Sequence, residues 1–409
     1  MNNIPLKNDY CVFTVCNLAY LPKALVLAES TLKFTGEKLK IFIFDKKIDK
    51  NLNNLFADIY WIEELNIPDF SKLAFRYDII ELSTSLKPYI TLALFKTYSK
   101  VIFLDPDICV YSSLSPILDD LDKASIILTP HHTTPQSDHP DERDTPMMRF
   151  GSFNLGFYAV KNNEQGNYFL NWWSKRCFQL CFMDSQFGLS TDQKWVSIAP
   201  CFFKDIYISF NLGYNVSAWN SWERKISKNE DGIYVVNNKF PLVFFHFSNF
   251  KSSDPGYMDK RSFFEKGIER PDFTELGIEY NSQLEKNSIL KIVNYKYSYD
   301  YMSGGEYISP TLRRAYDSIL EDLPESHNPF DSHGLVGKFA KKNNLYERKN
   351  TPYKREGFSS VSNNKNKLKL VYFFMRLLLR IVGPNKFMNL SRLLVLLSSY
   401  QRNNGLWKI

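Results

Sequence analysis

Short, dense apolar runs alternate with longer amphipathic stretches over roughly the first 250 residues. The run "YCVFTVCN", from Tyr10, predicts a buried strand, and "LPKALVLAESTLKF" predicts a helix packed behind it. "KLKIFIFD", ending at Asp45, predicts a second strand, and "DIYWIEEL" a third. "TSLKPYITLALFKTYSK" predicts a helix with Thr84 as its cap and Pro88 in its tolerant first turn. It leads into "VIFLDPDICVY", where Val101 to Leu104 form an uninterrupted apolar run, as in a strand buried on both faces. "KASIILTPHH", "GSFNLGFYAVKN" and "FPLVFFHFSNF" predict further strands, and "GNYFLNWWSKRCFQLCF" an aromatic-rich helix that belongs to the core. Strands alternating with helices predict an α/β domain with a mostly parallel sheet, whose ligands sit at the carboxyl ends of the strands.

Two stretches depart from this rhythm. "TTPQSDHPDERDTPMM" is polar, contains prolines and reads as a long connection of the kind that often forms a lid. Beyond about residue 256 strand signals fade. The pattern predicts a first domain over 1–255, a mostly helical extension over 256–350, a polar linker over 351–366 and a basic amphipathic helical tail over 367–409, broken at Gly383-Pro384.

With 409 residues, 44% of them hydrophobic and 16% aromatic, the chain can bury large cores. Its net charge of +7 misleads as an average. From Gly357 onward there are five lysines, four arginines and no acid, and these nine charges leave −2 for residues 1–356. That distribution argues against a nucleic-acid groove across the main domain. It fits a tail lying in an anionic membrane interface, with Arg376, Arg380 and Arg392 among apolar residues. The opening "MNNIPLKNDY" has no secretory character, and no apolar run reaches the roughly 18 residues of a membrane span. Cys177 and Cys181 read as half-buried thiols one helical turn apart, and the six cysteines show no paired spacing, as expected in a reducing cytoplasm. The expected location is therefore cytoplasmic, peripheral on the inner face of the cell membrane.

The chemistry concentrates where the fourth strand ends. Asp105 and Asp107 flank Pro106, and in an extended chain residues two apart point the same way. Converging like charges need a positive partner. His246, with its strongly apolar approach, supplies an imidazole, so Asp105, Asp107 and His246 have the ligand types for a divalent cation, Mn²⁺ in preference to Mg²⁺. A cation at a sheet edge suits departure of a nucleoside diphosphate. The bland alternatives are a strand-end turn for the aspartates and a helix cap for Asp192. Gly151 and Gly156, bracketing Asn154, mark a close backbone approach or a bulge. Trp219 and Asn220 either line the acceptor side of the site or only pack, and His131, His132, His139, Asp138, Asp141 and Asp144 read as a mobile loop with some acceptor contact and not as a second metal site.

In order, "LKPYITLALF", "VIFLDPDICVY", "GSFNLGFYAV", "STDQKW", "GYNVSAWN" and "FFHFSNF" resemble the motifs of bacterial GT-A glycosyltransferases from surface-polysaccharide clusters, and more distantly the retaining family 8 glycosyltransferases. The resemblance covers roughly Tyr10 to Phe250. It implies a GT-A (Rossmann-like nucleotide-diphospho-sugar transferase) domain with a helical C-terminal extension. Position by position, it implies Asp105, Asp107 and His246 as metal ligands, and Thr14, Cys16, Asn17, Lys87, Asp105 and Asn154 as donor-binding residues. Asp192 and Gln193 match the pair lining the reactive face of the sugar. The implied reaction moves a sugar from a nucleotide-sugar, UDP-linked, to a glycan or lipid-linked glycan acceptor with retention. One departure is visible: the family's diphosphate lysine stands six residues after the metal histidine in a K-P-W, whereas here Lys251 stands five residues on, without that tripeptide. The rival readings are a nucleotidyltransferase, against which "TVCNLAYLPKAL" offers no glycine-rich phosphate loop, and a catalytically silent nucleotide- or glycan-binding protein.

Overall fold

The chain's computed structural model describes residues 9–135, 140–254, 270–287, 295–347, 352, 365–398 and 405–407. They fall into two compact units. One comprises the chain up to Phe70, Ile79–Met183 and Leu189–Ser298, and the other Ser71–Asp78, Asp184–Gly188 and the chain from Tyr299 onward.

The apolar runs of the first unit form the strands they predict. Strands β1 (Tyr10–Cys16), β2 (Leu39–Ile43), β3 (Ala57–Trp61), β4 (Lys100–Leu104), β5 (Ile108–Val110), β6 (Ile126–Pro130), β7 (Phe153–Lys161) and β8 (Ile206–Ile208) carry the architecture. All but β5 join one sheet, in the order β3-β2-β1-β4-β7-β6-β8. The first four in that order run parallel, β7 is antiparallel to both its neighbours, and β6 and β8 are parallel. The sheet is thus mostly parallel, and Val101 to Leu104 are fully buried at its centre. The order reverses between β1 and β4, where a doubly wound sheet opens its ligand crevice.

Helices α1 (Leu21–Thr35), α2 (Phe70–Arg76), α3 (Ile79–Ser85), α4 (Lys87–Leu94), α5 (Ser115–Lys123), α6 (Pro140–Phe150), α7 (Glu164–Leu180) and α8 (Thr191–Val196) intervene. Three expectations need correction. Thr84 does not cap α4; it sits in the last turn of α3, its hydroxyl donating to the Ile80 carbonyl at 3.0 Å, while Pro88 does fall in the first turn of α4. The polar segment is helical from Pro140, because proline fits a first turn. His139 and Asp138 lie outside the described residues. Cys177 and Cys181 are fully buried, not half-buried.

Strands β9 (Ile226–Lys228), β10 (Tyr234–Val236) and β11 (Phe240–Pro241) form a small antiparallel sheet, and β12 (Phe244–His246) pairs antiparallel with β5. Helix α9 (Pro271–Asn287) packs on a second apolar cluster, where Tyr280 stacks on Phe247 with ring centroids 3.9 Å apart. That packing fixes the strand carrying His246 from behind.

In the second unit, α10 (Pro310–Ile319) carries the buried Arg313, whose guanidinium donates to the carbonyls of Ala74, Phe75, Tyr77 and Tyr299 and to the Asp300 carboxylate. Helix α11 (Leu335–Lys342) follows. The tail forms α12 (Lys365–Val382) and α13 (Pro384–Leu397), joined at Gly383 with φ of 80°. Leu370, Phe373, Phe374, Ile381, Leu394 and Leu397 are each exposed by half or more. Among the described residues no helix is long and apolar enough to cross a membrane.

Candidate active site

The two aspartates converge for a reason other than strand alternation. The chain from Asp105 to Ile108 is a turn closed by the Ile108 N–H donating to the Asp105 carbonyl at 3.0 Å. The Asp105 N–H donates to Gly156 of β7 at 2.8 Å, which anchors the turn to the sheet. Strand β5 then pairs with β12 so that Ile108 lies opposite His246, and the Phe247 N–H donates to the Asp107 carbonyl at 2.8 Å. A short ladder therefore joins residues more than a hundred positions apart.

His246 Nε2 lies 3.1 Å from Asp107 Oδ1 and 3.9 Å from Asp105 Oδ2. One ligand atom from each of the three lies within 4.8 Å of the others, and among the described residues they form the one cluster of this kind. The donor set fits a divalent cation, since two hard oxygens and an imidazole nitrogen face a common point. His246 Nδ1 is 3.2 Å from the Asn215 side-chain oxygen, which leaves Nε2 for that point. Burial raises the Asp107 carboxyl, but His246 and Lys23 (Nζ 3.9 Å from Oδ2) outweigh it and hold the group at about 2.

Lys87 continues the charge pattern. Its buried ammonium donates to the Leu155 carbonyl at 2.9 Å and lies 3.5 Å from Asp105 and 3.3 Å from Asp192. Burial pulls the ammonium down, yet Asp105 and Asp192 together hold it above its usual range, so it stays charged. Asp192 is pushed up by burial, offset by Lys87 and reinforced by repulsion from Asp105. It does not cap a helix. Helix α8 begins at Thr191, and the Asp192 side chain turns into the cluster, accepting from the Thr191 hydroxyl at 3.1 Å.

Gln193 is engaged at both ends of its carboxamide, accepting from the Leu155 N–H and donating to the Phe150 carbonyl, each at 3.1 Å. The two glycines do mark close approaches. A Cβ on Gly156 would lie 2.4 Å from His246 Cε1, and one on Gly151, at φ of 123°, would lie 2.8 Å from Ser197 Oγ. The neighbours at these points are the chain's own side chains.

These groups line one cleft of about 1170 Å³, large enough for a nucleotide-sugar and more. Cys16 and Asn17 line it at the end of β1, as do Lys87, Asn154, Asp192 and Gln193. Thr14 is fully buried in β1 and stands away from the lining. Trp219 lines the cleft edge-on to His246, whereas Asn220 is buried and ties down its own loop through the His131 and Asn215 carbonyls. His132 faces Asp144 at 3.8 Å without a third ligand among the described residues.

Sequence reasoning missed His131 and Asn215. Burial first, with the charges of His132 and His246, lowers His131 to about 4, against hydrogen bonds from it to the Ser152 and Gly151 backbone. Its Nε2 lies 3.4 Å from the Asn154 side-chain nitrogen. The "GYN" preceding "VSAWN" was the available signal for Asn215, because asparagine tolerates the left-handed backbone that it adopts there, with φ of 51°.

Comparison with known proteins finds relatives of this chain. Two curated relatives from Bacillus subtilis (strain 168) are the uncharacterized proteins YfnF, 26% identical over 183 residues, and YfnD, 24% identical over 215. The alignments take in 44% and 50% of this chain and 60% and 67% of theirs, so the chain spans well short of the whole of either. Among solved structures, the galactosyltransferase LgtC in complex with donor and acceptor sugar analogues is 16% identical, with a TM-score of 0.39, over 66% of this chain and 95% of that one. The glycosyltransferase GlyE of Streptococcus pneumoniae TIGR4 is also 16% identical, with a TM-score of 0.39, over 71% and 66%. Residues 11–231, more than half of the chain and including both aspartates, Lys87, Asn154 and Asp192, match the family model described as glycosyl transferase family 8, and the chain belongs to that family.

Proposed function

We propose that the protein is a metal-dependent glycosyltransferase that moves a sugar from a UDP-sugar to a lipid-linked glycan acceptor in surface-polysaccharide synthesis, with retention of anomeric configuration. The observation that carries this reading is the cluster of Asp105, Asp107 and His246 at the floor of a cleft that also holds the buried Lys87–Asp192 pair. When bound, a divalent cation, Mn²⁺ or Mg²⁺, would be held by Asp105, Asp107 and His246 and would neutralise the negative charge growing on a departing diphosphate.

The chain's own groups divide the remaining work. Lys87 offers a fixed positive charge beside Asp105, aimed where a donor phosphate or sugar oxygen would lie. Asn154 Oδ1 already accepts from the Gly156 N–H and from Asn215, so its side-chain nitrogen is the group available to a sugar hydroxyl. Cys16 and Asn17 at the end of β1 supply a floor for the base. Retention needs no protein nucleophile in this site. Asp192 is held by Lys87, and Gln193 is engaged at both ends of its amide. A front-face route, in which the leaving diphosphate oxygen takes the acceptor's proton, uses the geometry as it stands.

The tail supports a place on the cytoplasmic face of the cell membrane. Its nine basic residues without an acid would meet anionic lipid at about 1 kcal/mol per residue near the surface, and its exposed apolar side chains would enter the interface.

The test is hydrolysis of a panel of UDP-, GDP- and CMP-sugars by purified protein with Mn²⁺, Mg²⁺ or EDTA. Slow metal-dependent release of UDP from one donor is expected. Metal-independent turnover, or nucleotide binding without turnover of any donor even with lipid-linked glycan present, would contradict the reading.

A further inference from the structure

We propose that Asn215 is the positioning residue of this site, fixing the tautomer of His246 with one end of its carboxamide and the orientation of Asn154 with the other. The inference rests on the metal-site reading above.

The side chain of Asn215 is buried, and its amide orientation is decided by its neighbours. Its nitrogen faces three acceptors: Asn154 Oδ1 at 3.0 Å, Thr129 Oγ1 at 3.2 Å and the Asn154 carbonyl at 3.3 Å. The oxygen must then face His246 Nδ1, at 3.2 Å, and an amide oxygen can only accept. Nδ1 therefore carries the hydrogen. Nε2, 3.1 Å from the Asp107 carboxylate, is left facing the point it shares with that carboxylate. A metal-binding imidazole needs this tautomer.

At the same time the Asn215 nitrogen holds Asn154 Oδ1, which also accepts from the Gly156 N–H at 3.0 Å. Asn154 is further limited by His131 Nε2, 3.4 Å from its nitrogen. A continuous chain of contacts thus runs from His131 through Asn154 and Asn215 to His246 and Asp107. The Asn215 backbone is held as firmly: its carbonyl accepts from Asn220 at 3.0 Å, the preceding carbonyl accepts from Arg224 at 2.6 Å, and the following residue, Val216, accepts from the His246 N–H at 2.8 Å. Its left-handed φ of 51° suits asparagine, aspartate and glycine.

Two substitutions separate the roles. Asn215→Asp keeps an acceptor for His246 Nδ1 but removes the donor to Asn154. Asn215→Gly removes both, at a backbone conformation that glycine accepts. Mn²⁺ binding by electron paramagnetic resonance is expected to weaken 10–100-fold in Asn215→Gly and to stay within about threefold of wild type in Asn215→Asp. The preference for the turned-over UDP-sugar over UDP alone should fall in both. Nitrogen-15 spectra of histidine-labelled, metal-free protein should show the Nδ1 hydrogen of His246 held in a hydrogen bond in wild type and Asn215→Asp, and that hydrogen bond lost in Asn215→Gly. Thermal unfolding checks that each variant folds; if Asn215→Gly does not, Asn215→Asp still decides through its Mn²⁺ affinity and sugar preference. Wild-type metal affinity in Asn215→Gly, or equal loss of metal in both variants, would overturn the inference. Absence of an Asp107-dependent Mn²⁺ site in wild type would instead overturn the reading beneath it, while the histidine spectra would still report on Asn215.

Discussion

The cleft and the tail treat their difficult groups in opposite ways. In the cleft, buried charged and polar side chains are answered by one another: Lys87 faces two carboxylates, His246 has a partner on each ring nitrogen, and Gln193 is engaged at both ends. In α12 and α13, large apolar side chains face outward with basic residues among them. A site whose groups are already tied in place is preorganised for a small ligand, because little ordering is left to do on binding. A helical pair that leaves its apolar side chains exposed has its stabilising contact elsewhere.

The contrast can be broken most sharply at Asp107. Asp107→Ala should lower metal-dependent donor hydrolysis by about 10³-fold, the scale expected on losing a main electrostatic stabiliser of the leaving group. It should leave vesicle binding unchanged, and steady-state kinetics beside vesicle sedimentation read both. The reciprocal variant lacks residues 365–409. Its sedimentation with anionic vesicles should fall at least about 100-fold, taking about 1 kcal/mol for each of Arg376, Arg380 and Arg392, with hydrolysis of a soluble donor intact. If deletion instead abolished hydrolysis, the two regions would not be separable.

Inside the cleft, Lys87→Met should cost about 3 kcal/mol of stability in urea unfolding, because it leaves buried carboxylates without their cation. Adding Asp192→Asn should recover part of the stability and none of the activity. Gly156→Ala would place a methyl against His246, and its Mn²⁺ affinity should fall 10–100-fold. The remaining prediction concerns His131 and is read from stability alone. Its pKa is about 4 when folded, against an ordinary 6.5, so between those values the unfolded chain binds a proton that the folded chain does not. Its contribution to stability is complete above 6.5 and is lost as pH falls toward 4. His131→Asn should flatten that part of the stability curve. The Asp107 contribution is separate, fading only as pH falls from 3.8 toward 2.

Much of this was legible in the sequence because it rests on local pattern. The run from Val101 to Leu104 has to be a buried strand, and an Asp-Pro-Asp after it has to leave the sheet. The convergence of the aspartates was foreseen but its cause was not. The turn closed by Ile108 and the β5–β12 ladder depend on pairing across more than a hundred residues, which no short-range period encodes. The same limit hid Asn215, whose role exists only once Thr129, Asn154 and His246 meet around it. Thr84 misled for the opposite reason. Its local cap signal was sound, but α3 and α4 follow each other so closely that the residue was absorbed into the end of the first.

The central claim is that Asp105, Asp107 and His246 hold a cation which in turn receives a nucleoside diphosphate. Calorimetric titration of UDP into wild type and Asp107→Asn, each with Mn²⁺ and with EDTA, tests it most directly. The account predicts tight binding in wild type with Mn²⁺ alone, collapsing by 100-fold or more, about 2.7 kcal/mol, in EDTA and in the variant. UDP affinity that is indifferent to both EDTA and the substitution would contradict it.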